Sequence, residues 1–89
     1  MRLNPLDHGG AMATSAKIAG AFGRVLREQR DARGLSQEGL ALNAAVDRTF
    51  VSQMERGIRQ PTLTTLWKLA AALDVSPATL VARVERNLR

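Results

Sequence analysis

The chain has 89 residues, no cysteine and a formal net charge of +5. This length leaves room for one small domain, and the absence of cysteine excludes a disulfide framework and a zinc–thiolate site. No apolar run reaches the roughly 18 residues of a membrane span. The N-terminus lacks the apolar stretch of a signal peptide, so we expect a cytoplasmic protein with no membrane partner.

Most of the positive charge is carried by arginine. Eleven of the 13 cationic side chains are arginines, against eight acidic residues. The guanidinium group binds phosphates and guanine edges in a forked geometry, so a small basic domain rich in arginine indicates a nucleic-acid partner. Anionic membranes and acidic proteins would also be attracted, and charge alone leaves these alternatives open.

Residues 1–15 show no hydrophobic period and contain Pro5, Gly9 and Gly10. We therefore expect a flexible arm before a domain that occupies residues 16–89. The first helix of that domain is predicted from about Lys17 to Ala32, where Gly20 and Gly23 weaken the early turns. Its inward face is predicted from helical spacing: Ile18, Phe22, Val25, Leu26 and Gln29.

Four further helices follow, separated by short loops. Ser36, Asp47 and the Ser76-Pro77 pair are favoured at helix starts, and Pro61-Thr62 opens the remaining helix. The third helix is expected from Arg48 to about Arg56, and the fifth to about Asn87. Short connections between five helices predict a compact all-α domain, in which the second and third helices have the dimensions of a helix-turn-helix.

Three segments carry a family resemblance: GLSQEGLA from Gly34 to Ala41, VDRTFVSQMERG from Val46 to Gly57, and RQPTL from Arg59 to Leu63. Together they resemble the Cro/phage-repressor (XRE-like) helix-turn-helix family, over about residues 22–80. The segment DRTF is also similar to restriction–modification controller proteins. The resemblance implies a five-helix, lambda-repressor-like DNA-binding domain and a sequence-specific transcriptional regulator that needs no cofactor.

The resemblance places the third helix in the major groove of double-stranded DNA. If Val51 and Met54 face the core, the outward residues expected at base edges are Arg48, Thr49, Ser52 and Gln53. Arginine can pair with guanine, glutamine with adenine, and threonine offers a hydroxyl and a methyl group. The alternative is that these side chains form an ordinary solvated helix face.

Contacts to the DNA backbone are expected from a second set of residues: Ser36, Gln37, Phe50, Arg56 and Arg59. The first two begin the second helix, where the side-chain amide of Gln37 and free backbone N–H groups can bind a phosphate. Phe50 is expected against a sugar or a thymine methyl group, or alternatively in the core.

The resemblance also implies an ion pair between Arg30 and Glu55 that braces the first helix against the third. Two residues depart from the family pattern. Ala45 occupies a turn position where glycine is usual, and it costs on the order of 1 kcal/mol if its backbone is left-handed. Gly39 lies within the second helix, at a similar cost.

A single domain of this kind contacts few base pairs, so we expect a homodimer on a palindromic or repeated operator. The two recognition helices would then lie about 34 Å apart. The dimer contact is predicted from Trp67 and from residues of the fifth helix, namely Leu80, Val84 and Leu88. The alternative for Leu80 and its neighbour Val81 is that they complete the monomer core.

Two other classes of function compete with DNA binding. An enzyme is disfavoured because the chain has no cysteine, no tyrosine and a single histidine, and His8 in the expected arm carries no metal or catalytic role. A protein-binding module such as an antitoxin or an adaptor is the stronger rival. A pure adaptor would leave Arg48, Thr49 and Gln53 without a role.

Overall fold

Five helices make up the part of the chain that the computed structural model describes, which is residues 14–89. They are α1 (Ser15–Ala32), α2 (Gln37–Ala44), α3 (Arg48–Glu55), α4 (Leu63–Ala72) and α5 (Pro77–Asn87). The predicted bounds agree to within about two residues. Residues 1–13 of the predicted arm lie outside the described residues. Its last two residues, Thr14 and Ser15, belong instead to the start of α1.

Hydroxyl side chains begin four of these helices. Thr14, Ser36, Thr62 and Ser76 each accept a hydrogen bond from the backbone N–H three residues later, which satisfies a donor that the helix itself leaves free. Asp47 lies at the N-cap of α3, but its side chain makes no capping hydrogen bond. The predicted N-cap position of Asp47 is therefore confirmed, but without a side-chain capping bond.

The core forms where all five helices meet. Its largest fully buried side chains are Val25, Leu26, Leu40, Val51, Met54, Leu69, Leu73 and Leu80. Helix α1 packs against α3 and α5, α2 packs against α3 and α4, and α4 packs against α5. Ile18, predicted on the inward face of α1, is instead 38% exposed, because it lies at the rim where α1 meets the start of α4 and the middle of α5.

The turn between α2 and α3 contains the expected left-handed residue. Ala45 has φ 57° and ψ 48°, a conformation in which its Cβ lies close to the following carbonyl oxygen. The cost of about 1 kcal/mol expected for an alanine in a left-handed conformation therefore applies. The turn nevertheless keeps helix-turn-helix dimensions, since the Val46 N–H still bonds the Ala41 carbonyl at 3.0 Å.

Gly23 has a packing role that the sequence did not reveal. A Cβ atom at this position would lie 2.5 Å from the carbonyl oxygen of Met54 and 2.7 Å from that of Glu55. Backbone atoms cannot rotate away as a side chain can, so a residue with a side chain would push α1 and α3 apart. Gly23 therefore permits the close crossing of α1 over the end of α3.

None of the helices in residues 14–89 is both long and apolar enough to cross a membrane.

We predict that Gly23→Ala destabilises the protein by about 2 kcal/mol or more, because the overpacked contact is with backbone. Urea unfolding followed by circular dichroism measures the change. Gly20→Ala is the matched control on the same helix, since its added Cβ would meet only the end of the Arg24 side chain at 3.6 Å. It should be neutral or stabilising by up to about 1 kcal/mol. Equal effects at both positions would contradict the close-crossing argument.

Candidate nucleic-acid interface

A buried ion pair joins α1 to the C-terminal end of α3. Arg30 donates to Glu55 through two nitrogens, from Nε to Oε2 at 2.6 Å and from Nη2 to Oε1 at 3.0 Å. The two side chains are only 11% and 4% exposed. This forked geometry is the strongest form of a carboxylate–arginine contact, and the ion pair implied by the family resemblance is present.

The pair also anchors α2 and the loop before it. Gln37 donates from Nε2 to Glu55 Oε1 at 3.1 Å, and Arg30 Nη1 donates to the Leu35 carbonyl at 2.8 Å. The hydrogen bond from Arg30 to Glu55 raises the pKa of the guanidinium above its ordinary value, although burial acts to lower it. We call Arg30, Gln37 and Glu55 the brace, because they fix α1, α2 and α3 relative to one another.

Helix α3 presents the predicted base-reading residues on its outer surface. Arg48 and Thr49 are exposed, while Ser52 and Gln53 are half-buried. Val51 and Met54 are fully buried on the opposite side, as the spacing predicted. The structure thus brings the four polar residues together on one face, and their contact with bases stays a prediction.

Phe50 and Arg59 form a contact beside this face. Phe50 is half-buried and packs against the core, and the Arg59 guanidinium carbon lies 5.4 Å from the centre of its ring. The backbone N–H of Arg59 also donates to the Gln53 carbonyl at 3.4 Å. Arg59 is therefore held to α3 at both ends, whereas Arg56 is exposed at the end of the helix.

A surface depression opens at the same place, which we call the α3 depression. It is lined by Val46, Asp47, Thr49, Phe50, Gln53 and Arg59. The spacing of these residues in the sequence does not show that they come together, because it does not show that the segment after α3 returns to the outer face of that helix.

At the start of α2, the Gln37 side chain does not face outward toward a phosphate as expected. Ser36 accepts the Gly39 N–H at 2.9 Å, and the side-chain amide of Gln37 is engaged with Glu55. A phosphate bound here would rely chiefly on the backbone N–H groups of the first turn. The role of Gln37 in the brace could not be predicted from local spacing, because its partner Glu55 lies 18 residues further along the chain.

Of the residues predicted at a dimer contact, Leu80 does not reach the surface. Its side chain is completely buried in the monomer core, so the prediction that it contacts a second copy is wrong. Val84 and Leu88 are half-buried, and Trp67 is 56% exposed.

Two exposed apolar residues adjoin Trp67. Val81 on α5 is 53% exposed and Leu63 at the start of α4 is 69% exposed, and both line a surface concavity together with Trp67. We call Leu63, Trp67 and Val81 the α4–α5 apolar patch. Val81 occupies the surface position predicted for Leu80, because α5 turns Leu80 toward the core.

A family model described as helix-turn-helix matches residues 26–80, and the chain belongs to this family. An HTH-type transcriptional regulator of Sinorhizobium fredii, y4dJ, is 41% identical over 72 residues, which make up 80% of this chain and 88% of that protein. The predicted all-α helix-turn-helix fold is confirmed, and the chain is a helix-turn-helix protein of the transcriptional-regulator type.

Two similar solved structures are restriction–modification controller proteins. The crystal structure of C.AhdI from Aeromonas hydrophila is 48% identical, with a TM-score of 0.68 over 70% of this chain and 94% of that one. The second is the C.Esp1396I tetramer in complex with its natural 35 base-pair operator. It is 27% identical, with a TM-score of 0.73 over 80% of this chain and 93% of that one.

We predict that Glu55→Gln destabilises the protein by about 3 kcal/mol, because it leaves the charge of Arg30 buried without its counter-charge. Thermal and urea unfolding measure the loss. Asp74→Asn is the control, since Asp74 is 92% exposed and its oxygen lies 3.7 Å from Arg33 Nη1. Removing that exposed pair should change the free energy of unfolding by less than about 1 kcal/mol. A Glu55→Gln loss no larger than that of the control would refute a structural role for the brace.

Proposed function

We propose that this protein binds operator DNA sequence-specifically as a homodimer and so regulates transcription, with α3 lying in the major groove. The observation that carries the proposal is the outer face of α3, where Arg48, Thr49 and Gln53 stand on a helix fixed at its far end by the brace. A rigidly held helix presents its side chains at constant positions, which base-specific hydrogen bonding requires. The similarity to restriction–modification controller proteins supports a regulator of that kind.

Each residue of this face has a chemical partner in the major groove. Arg48 is expected on guanine O6 and N7, and Gln53 on adenine N6 and N7. Thr49 and Ser52 add hydroxyl groups that pair with several bases. Arg48 and Thr49 begin α3, the part of a recognition helix that reaches base edges, and Ser52 and Gln53 lie one turn further along the same helix.

Arginines beyond α3 supply the electrostatic part of binding. Arg56 and Arg59 are exposed and follow directly after the helix, where they can neutralise phosphates on either side of the groove. Such contacts release counterions, so affinity should fall steeply with salt. A regulator of this type acts where bacterial DNA is found, and we place it in the cytoplasm.

The α4–α5 apolar patch is the proposed dimer contact. A large exposed apolar patch on a small domain marks an interaction site, and Trp67 has the size typical of an interface anchor. Two copies related by a two-fold axis would bury the same patch on each other. The tetrameric C.Esp1396I bound to its operator supports an assembly of several copies on DNA.

We predict that selection from a random duplex pool at fixed, near-physiological salt yields a palindromic or repeated consensus. Arg48→Ala should relax one position per half-site and weaken binding by about 1–3 kcal/mol. Arg27→Ala is the control, because it removes the same charge from an exposed position on α1. That variant should leave the consensus unchanged.

The opposite outcome has a definite meaning. If no sequence is enriched and binding only fades as salt rises, the positive charge acts generically. The main partner would then be another protein, as in an antitoxin or an adaptor.

We predict that Trp67→Ala raises the dimer dissociation constant roughly thirtyfold or more, the loss expected for a buried interface tryptophan. Sedimentation equilibrium over a range of protein concentrations measures the constant. Leu42→Ala is the control, since Leu42 is also a large exposed hydrophobic residue but lies on α2, outside the patch. A wild-type protein that stays monomeric both free and on its operator would overturn the dimer proposal.

A further inference from the structure

The α3 depression combines apolar surface with hydrogen-bonding groups in one small concavity. Val46 and Phe50 pack against the core, so their apolar surfaces are fixed in place. Arg59 is exposed, but its backbone N–H bonds the Gln53 carbonyl and its guanidinium lies 5.4 Å from the centre of the Phe50 ring. A depression whose walls are already ordered binds a small group without first paying an ordering cost in entropy.

The depression is lined by one carboxylate and one guanidinium, Asp47 and Arg59, so its lining carries no net formal charge and suits a base edge better than a phosphate. The carboxylate of Asp47 lines it and makes no capping hydrogen bond. A carboxylate repels a phosphate, but it accepts a hydrogen bond from the exocyclic amino group of cytosine. Thr49 and Gln53, the residues expected at base edges, form another part of the wall.

The apolar walls specify which base edge fits best. In the major groove a methyl group is carried at C5 by thymine, where it lies beside the O4 acceptor. A cytosine methylated at C5 presents the same methyl group beside its amino group. Thr49 and Gln53 can donate to O4, whereas Asp47 can accept from the amino group.

We propose that the α3 depression is a receptor for the 5-methyl edge of a pyrimidine in the operator, with the methyl group against Val46 and Phe50. Thymine and 5-methylcytosine share this chemistry. The proposal rests on the proposed function, because it requires α3 in the major groove. It assigns Phe50 to base recognition, in preference to the sugar contact.

The test uses the consensus duplex obtained by selection. In one arm each thymine is replaced singly by uracil, and in the other each cytosine is replaced singly by 5-methylcytosine. At one pyrimidine position per half-site, the methyl group should strengthen binding roughly fourfold, the equivalent of burying one methyl group. A response in the first arm identifies thymine as the source, and a response in the second identifies 5-methylcytosine.

Phe50→Ala tests which residue senses the methyl group. In this variant the ratio of affinities for the methylated and unmethylated duplexes should fall close to one. Leu42→Ala, a truncation of an exposed apolar residue outside the depression, should keep the wild-type ratio. Circular dichroism establishes that both variants are folded, and the wild-type duplex series tests the proposal without any variant.

The outcomes separate this inference from the proposed function. If a consensus is selected but no pyrimidine responds to its methyl group, the depression is not a methyl receptor although the protein still reads DNA. A Phe50→Ala variant that binds more weakly yet keeps the methyl ratio would place Phe50 against a sugar and overturn the inference. Failure to select any consensus would instead refute the proposed function.

Discussion

The contact between Arg30 and Glu55 is the constraint on which the arrangement of the first three helices depends. Burying both charges costs desolvation energy that their attraction only partly offsets, so the pair contributes more to geometry than to net stability. Its two hydrogen bonds tie the end of α3 to α1 in a forked geometry. Gln37 extends the same constraint to α2. Loss of one partner would therefore disturb the helix-turn-helix as a unit.

A close approach between α1 and α3 lies at the same end of α3 as this ion pair. Gly23 lets α1 approach the carbonyls of Met54 and Glu55, and the side chain of Glu55 receives Arg30 a short distance away. Both restraints act on the C-terminal turn of α3. The N-terminal part, with Arg48 and Thr49, is left exposed. This division fits a recognition helix that is anchored at its C-terminal end and free to contact DNA bases at its N-terminal end.

The outer surface is divided between two kinds of chemistry. Polar and cationic side chains surround α3, while Leu63, Trp67 and Val81 leave an apolar patch between α4 and α5. A chain this short buries a limited share of its apolar surface, which agrees with an exposed patch of this kind. The proposed dimer contact and the proposed DNA contact lie on separate faces, so each can be tested without removing the other.

The helices and the polar face of α3 could be predicted from the amino-acid sequence, because capping and helical spacing are local properties. Ser36, Ser76 and the buried pair Val51 and Met54 were predictable for that reason. The way in which the helices cross could not be predicted and is seen in the three-dimensional structure. It placed Gln37 on Glu55, turned Leu80 inward and Val81 outward, and brought Arg59 over Phe50. Such contacts depend on crossing angles and on the path of a loop between distant residues, which local spacing does not encode.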